Sequence, residues 1–476
     1  MTKRDRRNQN EFPSCLVIHA SSFPLLAPPC GSFILRAPMT PRQIAESLAR
    51  RLQEAGHTAY FAGGCVRDEL LGVVPKDYDI ATDATPVEVQ KLFPKSHAVG
   101  AHFGVIVVRE GGENFEIATF RTDGSYGDGR RPDKVEFSTP QEDAQRRDFT
   151  VNGMFLDPIT GKVIDFVGGL DDLRARRLRA IGAAAARFRE DHLRLMRAIR
   201  FATLLGYDIE PDTWSALVAN AESITRISVE RTRDELVKIL LHPQRLRGFD
   251  LLAESRLLFH ILPEMQSLKG CAQPPEFHPE GDVWIHTRLM LGLLPETVSL
   301  PLVLSVLLHD IAKPATWSCD PAEGRIRFNG HDKLGAEMTE VILRRLRFSN
   351  EVIDATVEAV TNHMKFMHIQ EMRTSRLKRW MASPTFPDEL QLHRADCLGS
   401  HGMLDNLEFV LAKQDEFASA PVIPPRLLNG HTLMELGYPA GPVLGDILTA
   451  VQDAQLEGVI GNKEEAVAWV RENFPA

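Results

Sequence analysis

The 476-residue chain contains no run of about 18 uninterrupted apolar residues, so nothing in it reads as a membrane span. Its six cysteines (Cys15, Cys30, Cys65, Cys271, Cys319, Cys397) form no Cys-x-x-Cys pair. That excludes a sequence-evident zinc ribbon and gives no disulfide framework, which points to a reducing cytosol. Internal repeats and low-complexity tracts are also missing. So is a basic excess: 55 Lys and Arg face 64 Asp and Glu, a net charge of −9 that argues against a nucleic-acid partner. The total hides an asymmetry. Residues 1–250 carry 35 basic against 34 acidic groups, leaving 20 against 30 for residues 251–476. Within 174–200, nine arginines face two acids.

What is present is a globular composition, 43% apolar and 25% charged, long enough for two to four domains. Residues 1–38 begin basic, pass through Pro28-Pro29 and lack the apolar core of a secretory signal. They read as a disordered extension, or as an upstream start preceding a natural beginning at Met39. From Thr40-Pro41 the pattern predicts a helix stopping at Gly56, then strands over Thr58–Phe61, Asp77–Ala81, Gly104–Val108, Phe115–Phe120 and Val163–Val167. Thr85-Pro86 and Pro140 open further helices, and the polar, glycine-rich stretch Asp123–Pro132 reads as a mobile loop. After residue 170 the pattern is helical, including Ile181–Leu205, Asp212–Asn220, Ser228–Leu241 and Ser299–Ile311.

The stretch Tyr60–Asp83, YFAGGCVRDELLGVVPKDYDIATD, carries the first chemistry. A strand running into Gly63-Gly64 and then a helix places free backbone N–H groups where a phosphate can sit. Arg67, in the first turn, adds a charged donor. Asp77 and Asp79, two apart on a strand, project from one face. Two carboxylates held together call for cations, and oxygen-only ligands suit Mg²⁺. Phosphate cradle and paired carboxylates together form the layout of two-metal phosphoryl transfer.

The order GGxVRD, DxD, RRDFTVNG (Arg146–Gly153), EDHLR (Glu190–Arg194) and ISVERTRDELVKIL (Ile227–Leu240) resembles the class II tRNA nucleotidyltransferase and poly(A) polymerase family. The resemblance implies a DNA-polymerase-β-like head in which Asp77 and Asp79 hold the metals, with Glu116 as third carboxylate. It also implies that Arg147 meets the triphosphate and that Asp148 and Asn152 orient sugar or backbone. Asp191 and Arg194, three apart on a helix, share a face. ATP and CTP each present an amino donor beside a ring-nitrogen acceptor, and UTP and GTP present the reverse. A carboxylate plus a guanidinium therefore accepts A and C and rejects U and G. Arg197 and Arg200 extend the stripe toward triphosphate or RNA. VGAHFGVIVV (Val99–Val108) looks like the CCA-adding form and lacks the basic run expected of bacterial poly(A) polymerases. In this family, a loop such as SYGDGRRPDKVEF accompanies addition of the terminal A.

The second half carries HPEGDVWIHT (His278–Thr287), LLHDIAKP, GHDKLGAE, NHMKF and HRADCLGS. His309-Asp310 ends an otherwise apolar helix, a poor place for polar groups unless something binds them. The set resembles the HD superfamily of metal-dependent phosphohydrolases. His286, His309, Asp310 and Asp396 follow its ligand order, and His331 and His363 its two-metal extension. Mixed imidazole and carboxylate ligands suit Mn²⁺, Fe, Ni²⁺ or Co²⁺. Lys313 reads equally as a phosphate contact or a solvated cation, and His260, His278, His368 and His401 receive no role.

The expected fold is multidomain: a disordered extension (1–38), an α/β nucleotidyltransferase head (39–170), an all-α neck (171–270), an HD domain (271–405) and a helical tail (406–476). The expected function is Mg²⁺-dependent addition of CMP and AMP from CTP and ATP to the tRNA 3′ end, with an added phosphohydrolase activity. The alternatives are a poly(A) polymerase, or an RNA or nucleotide phosphohydrolase working mainly through the HD site. No oligomeric state follows from the pattern.

Overall fold

A computed structural model describes residues 39–98, 104–123, 135–320, 324–418 and 421–475. The extension expected over 1–38 lies outside the described residues, as does the loop expected over Asp123–Pro132 beyond its first residue.

Helix α1 (Pro41–Glu54) starts on its proline and ends before Gly56, whose φ of +90° an L-residue seldom adopts. Ile44, Leu48 and Leu52 on its buried face belong to the core beneath a seven-stranded sheet. In chain order its strands are β1 (Ala59–Ala62), β2 (Asp79–Thr82), β3 (Ser96–His97), β4 (Val105–Glu110) and β5 (Glu113–Thr119). A separate hairpin, β6 (Arg121–Asp123) with β7 (Val135–Phe137), precedes β8 (Phe155–Leu156) and β9 (Val163–Ile164).

The sheet order is β3-β4-β5-β2-β1-β8-β9. Only β2 and β5 are parallel, with Ile80 opposite Ile117. That register sets Asp79 and Glu116, one residue earlier in each strand, level with one another at the same end of the sheet. β4 and β5 are joined through Gly111-Gly112, both at positive φ (61° and 88°), as a tight hairpin needs.

Two expected elements are shorter than the sequence pattern suggests. The strand expected over Asp77–Ala81 begins only at Asp79, leaving Asp77 in the preceding segment. The strand expected over Val163–Val167 stops at Ile164. There the Asp165 carboxylate accepts the backbone N–H groups of Val167, Gly168, Gly169 and Leu170 at 3.0, 2.9, 3.1 and 2.9 Å, turning the chain into a helix.

Beyond residue 170 the described chain is helical apart from two pairs of two-residue strands. The continuous helix expected over Ile181–Leu205 is a correction: helices Ala184–Glu190 and Arg194–Leu205 are separated at Asp191. Asp191 has extended φ and ψ, and its side chain accepts the Leu193 N–H at 3.0 Å, competing with the helical ladder. One apolar core runs from Ile44 to Ala395, and smaller clusters lie within 366–417 and 428–470. Among the described residues no helix is long and apolar enough to cross a membrane.

Candidate active sites

β1 delivers the chain to Gly63, whose backbone (φ 77°, ψ −131°) is open to glycine alone, and helix α2 (Gly64–Leu70) follows. A Cβ on Gly63 would stand 3.1 Å from Arg147 Nη1, so the glycine also makes room for that guanidinium. Along Asp77-Tyr78-Asp79 the outer two residues are exposed and Tyr78 is buried. Its ring packs on Phe61 with centroids 5.1 Å apart. Burying a side chain of this kind contributes about 2 kcal/mol and anchors the two carboxylates facing outward. Although Asp79 keeps access to solvent, the protein packed around its carboxyl strips part of its hydration; this, then the charges of Glu116 and Asp77, pushes it up to about 6, with Arg147 opposing. Carboxylate oxygens of this kind are the donors a hard divalent cation takes, and Asp77 and Glu116 act on Asp79 through their charges.

Beside them lies a cleft of about 370 Å³. It is lined by Gly63, Gly64, Arg67, Asp79, Arg147, Asp148, Asn152, Asp191, Arg194 and Arg197, together with Arg146 and Phe201. Every nucleotide-binding residue expected from the sequence is therefore in one place except Arg200. That residue is a correction: it turns away to pair with Glu235 at 3.0 Å, on helix Val229–Leu240, and lies over the Phe201 ring. Asp77 and Glu116 are also outside the cleft lining.

The cleft wall is a chain of charge-assisted hydrogen bonds. Arg67 donates to Asp68 Oδ1 at 2.8 Å and to Asn152 Oδ1 at 2.6 Å. Asn152 donates to Asp148 at 3.3 Å, and Asp148 receives Arg197 Nε at 2.8 Å. Although burial opposes it, Arg197 holds the Asp148 carboxyl below its ordinary range. Asp143, which sequence reasoning missed, grips Arg146 at 2.7 Å and Arg147 at 2.9 Å from beneath. Its signal was present, since Asp143 sits in a short helix capped by Thr139 and Glu142, with Arg147 four residues on, just beyond the helix end.

Asp191 and Arg194 do not share a helical face as expected, because the helix breaks between them, yet both line the cleft. Arg194 spends three N–H groups on Arg187 O, Glu190 Oε2 and Arg146 O, at 3.1, 2.7 and 3.0 Å. A guanidinium has five, so two remain. Asp191 Oδ2 stands 3.5 Å from Arg231. The arginine-rich stretch 174–200 is likewise less basic in space than in sequence. Asp148, Asp172 and Glu235 arrive from outside it to pair with Arg197, Arg177, Arg179 and Arg200.

The second cluster is assembled from five helices and their ends. His286 lies on Val283–Leu293, and His309 caps Leu300–Leu308 with Asp310 next in the chain. His331 opens His331–Arg345, His363 caps Asn350–Asn362, and Asp396 lies on Phe386–Gly399. All six expected residues come together. His286 Nε2 is 3.1 Å from Asp396 Oδ1, His309 Nε2 is 3.1 Å from Asp310 Oδ2, and His331 Nε2 is 3.6 Å from Asp310 Oδ1.

Three of the rings donate Nδ1–H to backbone carbonyls: His309 to Val306 at 3.0 Å, His331 to Phe328 at 2.8 Å, and His363 to Val360 at 2.5 Å. Their Nε2 lone pairs therefore face inward. Nε2 of His331 and Nε2 of His363 are 3.1 Å apart, an arrangement that repels unless a cation accepts both. His286 Nε2 and His309 Nε2 are buried and complete no hydrogen bond of good geometry. These groups fit divalent-cation ligation.

Burial and the neighbouring His309 push the His363 imidazole down to about 4. Against burial, Asp396 and Glu280 lift His286 to about 9. A cleft of about 790 Å³ opens over the cluster, reaching His278, Asp310, Lys313, His331, His363 and Asp396. Lys313 is buried there, 2.7 Å from Asp310 and 2.7 Å from Gln273 Oε1. That settles its reading as a fixed charge rather than a solvated one.

Residues 59–179 match the family described as the poly A polymerase head domain, and residues 206–269 match a probable RNA- and SrmB-binding site of polymerase A. The CCA-adding enzyme of Streptococcus pneumoniae (strain CGSP14) is 42% identical over 433 residues, covering 90% of this chain and 97% of its own. That of Geobacillus thermodenitrificans is 34% identical over 443 residues, covering 91% and 97%. Among solved structures, the Bacillus stearothermophilus CCA-adding enzyme in complex with CTP superposes with a TM-score of 0.70 at 30% identity, over 91% of this chain and 98% of that one. The Thermotoga maritima CCA-adding enzyme complexed with tRNA shares the fold, with a TM-score of 0.60 at 21% identity over 91% and 96%. With identities above 30% across nine-tenths of its length, the chain belongs to the family of CCA-adding enzymes, which are nucleotidyltransferases.

Proposed function

We propose that the chain builds CCA on the tRNA 3′ end in the cytosol, taking CMP from CTP and AMP from ATP. The observation that carries this reading is the convergence of Asp79, Arg147, Asp191 and Arg194 on one cleft. Asp77, Asp79 and Glu116 would hold Mg²⁺, which supplies activation of the RNA 3′-hydroxyl and neutralisation of the pyrophosphate leaving group. Arg147 and Arg67, with the N–H groups after Gly63, bind the triphosphate. Asp148 and Asn152 orient the sugar. Asp191 accepts from the amino group of A or C while a spare Arg194 N–H donates to the ring nitrogen.

In this reading residues 39–170 form the head and 171–270 the neck, where the match to an RNA-binding family lies. Residues 406–476 form the helical tail. The test is extension of tRNA ending at the discriminator base, the unpaired position before CCA, with each nucleotide supplied separately. CTP is expected to add first and ATP only after it, with UTP and GTP refused. Long ATP-only tails would make the protein a poly(A) polymerase instead.

A second reading is favoured by the facing lone pairs of His331 and His363. Residues 271–405 form an HD phosphohydrolase unit whose His286, His309, Asp310, His331, His363 and Asp396 hold Mn²⁺, Fe, Ni²⁺ or Co²⁺. Such an ion supplies the polarisation that makes a phosphate ester open to attack by water. Lys313, fixed by Asp310 and Gln273, offers its charge to the ester in the cleft.

A further inference from the structure

The segment HPEGDVWIHT contains two residues that the cation site does not use, His278 and Glu280. Glu280 Oε1 accepts hydrogen bonds from two rings at once, His286 Nδ1 at 2.8 Å and His278 Nδ1 at 2.9 Å. The two imidazoles stand edge to face, 5.0 Å between centroids. The Glu280 side chain is only 7% exposed, and its other oxygen is buried without a partner among the described residues. Burying a carboxylate this way is costly unless its hydrogen bonds have a use.

The contrast with the other histidines is informative. His309, His331 and His363 are each oriented by a neutral backbone carbonyl. His286 alone of the four is oriented by a carboxylate, which fixes the tautomer and also makes Nε2 a stronger donor toward a cation.

The local fold is built around this contact. Gly281 has φ +127°, a conformation that favours glycine, and it turns the chain immediately after Glu280. Asp282 then caps the helix carrying His286, accepting Ile285 N–H at 2.8 Å, and ties back to Gly270 N–H at 2.6 Å. His286 is fully buried, whereas His278 lines the cleft.

We propose that Glu280 is a positioning residue that holds two histidines in one tautomer, His286 toward the cation and His278 toward a hydroxyl or water beside a phosphoester in the cleft. With Nδ1–H committed to Glu280, His278 presents an Nε2 lone pair, and His286 presents one once a cation displaces the proton that its Nε2 shares with Asp396. The deep ring offers it to the metal, and the cleft-lining ring offers it to an O–H group. This rests on the HD reading above.

The experiment uses the full-length protein and Ni²⁺ alone, measured by titration calorimetry, with His309→Ala as the blank for the HD site. Glu280→Gln keeps size and removes charge, and is expected to weaken Ni²⁺ binding about 10- to 100-fold. It should also alter the visible absorption bands of Co²⁺ at the site. Glu280→Asp, which keeps the charge with a shorter reach, recovers part of the affinity and supplies the comparison should the glutamine variant fold poorly. His278→Ala is expected to leave Ni²⁺ affinity within about twofold and lower phosphoester turnover at saturating Ni²⁺ by about 10²-fold. Equal Ni²⁺ affinity and identical Co²⁺ bands in wild type and E280Q overturn the positioning role. Wild-type Ni²⁺ binding no greater than the His309→Ala blank overturns the HD reading itself, and the proposal with it.

Discussion

Replacing Asp79 with Asn is expected to reduce CTP and ATP incorporation by about 10³-fold. Cation neutralisation of a transferring phosphoryl group contributes several kcal/mol, and each ~1.4 kcal/mol is a factor of ten in rate. Asp79 is the carboxylate that both begins β2 and faces the cleft, so no neighbour can take its place. Undiminished incorporation would place the reaction elsewhere.

The same group sets the acid limit. Its carboxyl is raised to about 6 from an ordinary 3.8, so at pH 7 it is ionised and available to Mg²⁺. As pH falls through about 6, a proton competes with the cation for the same oxygens, and incorporation declines. More Mg²⁺ should move that limb to lower pH. A limb indifferent to Mg²⁺ would assign it to another group.

His309→Ala is the second change with a large expected effect. Its ring packs at 5.5 Å from both His286 and His363, and its Nε2 lies against Asp310. Loss of the ring is expected to lower transition-metal-dependent hydrolysis of a phosphodiester by about 10³-fold, again from several kcal/mol of lost charge stabilisation. CCA addition should stay within about twofold. If instead the variant loses tRNA extension as well, the two chemistries are not separate. If hydrolysis survives chelator and variant alike, the histidine cluster is not its origin.

The residues whose local setting was legible in the sequence share a property: their partners are near in the chain. Gly63, Gly64 and Arg67 are set by a single strand–turn–helix passage. Asp77 and Asp79 flank one buried tyrosine. His309-Asp310 stand out because seven of the nine residues of helix Leu300–Leu308 are buried. What stayed hidden depends on distant partners. Arg200 carries the same spacing signal as Arg197, but Glu235 draws it away and Asp148 does not draw Arg197 out of the cleft. The break at Asp191 escaped the periodicity because the apolar spacing continues through it, and only the capping carboxylate marks the interruption. Glu280 was invisible for a further reason, since its value lies in bonding two rings whose burial only the fold reveals.

The apolar core that runs from Ile44 to Ala395 has a thermodynamic consequence. Because that apolar packing is continuous, heat is expected to disrupt the nucleotide cleft and the histidine cluster in one transition, which calorimetry would record as a single peak. A ligand bound only to the folded chain at 100 times its dissociation constant adds about 2.7 kcal/mol to that transition. CTP in the head should therefore protect the histidine cluster, which it never touches, against melting.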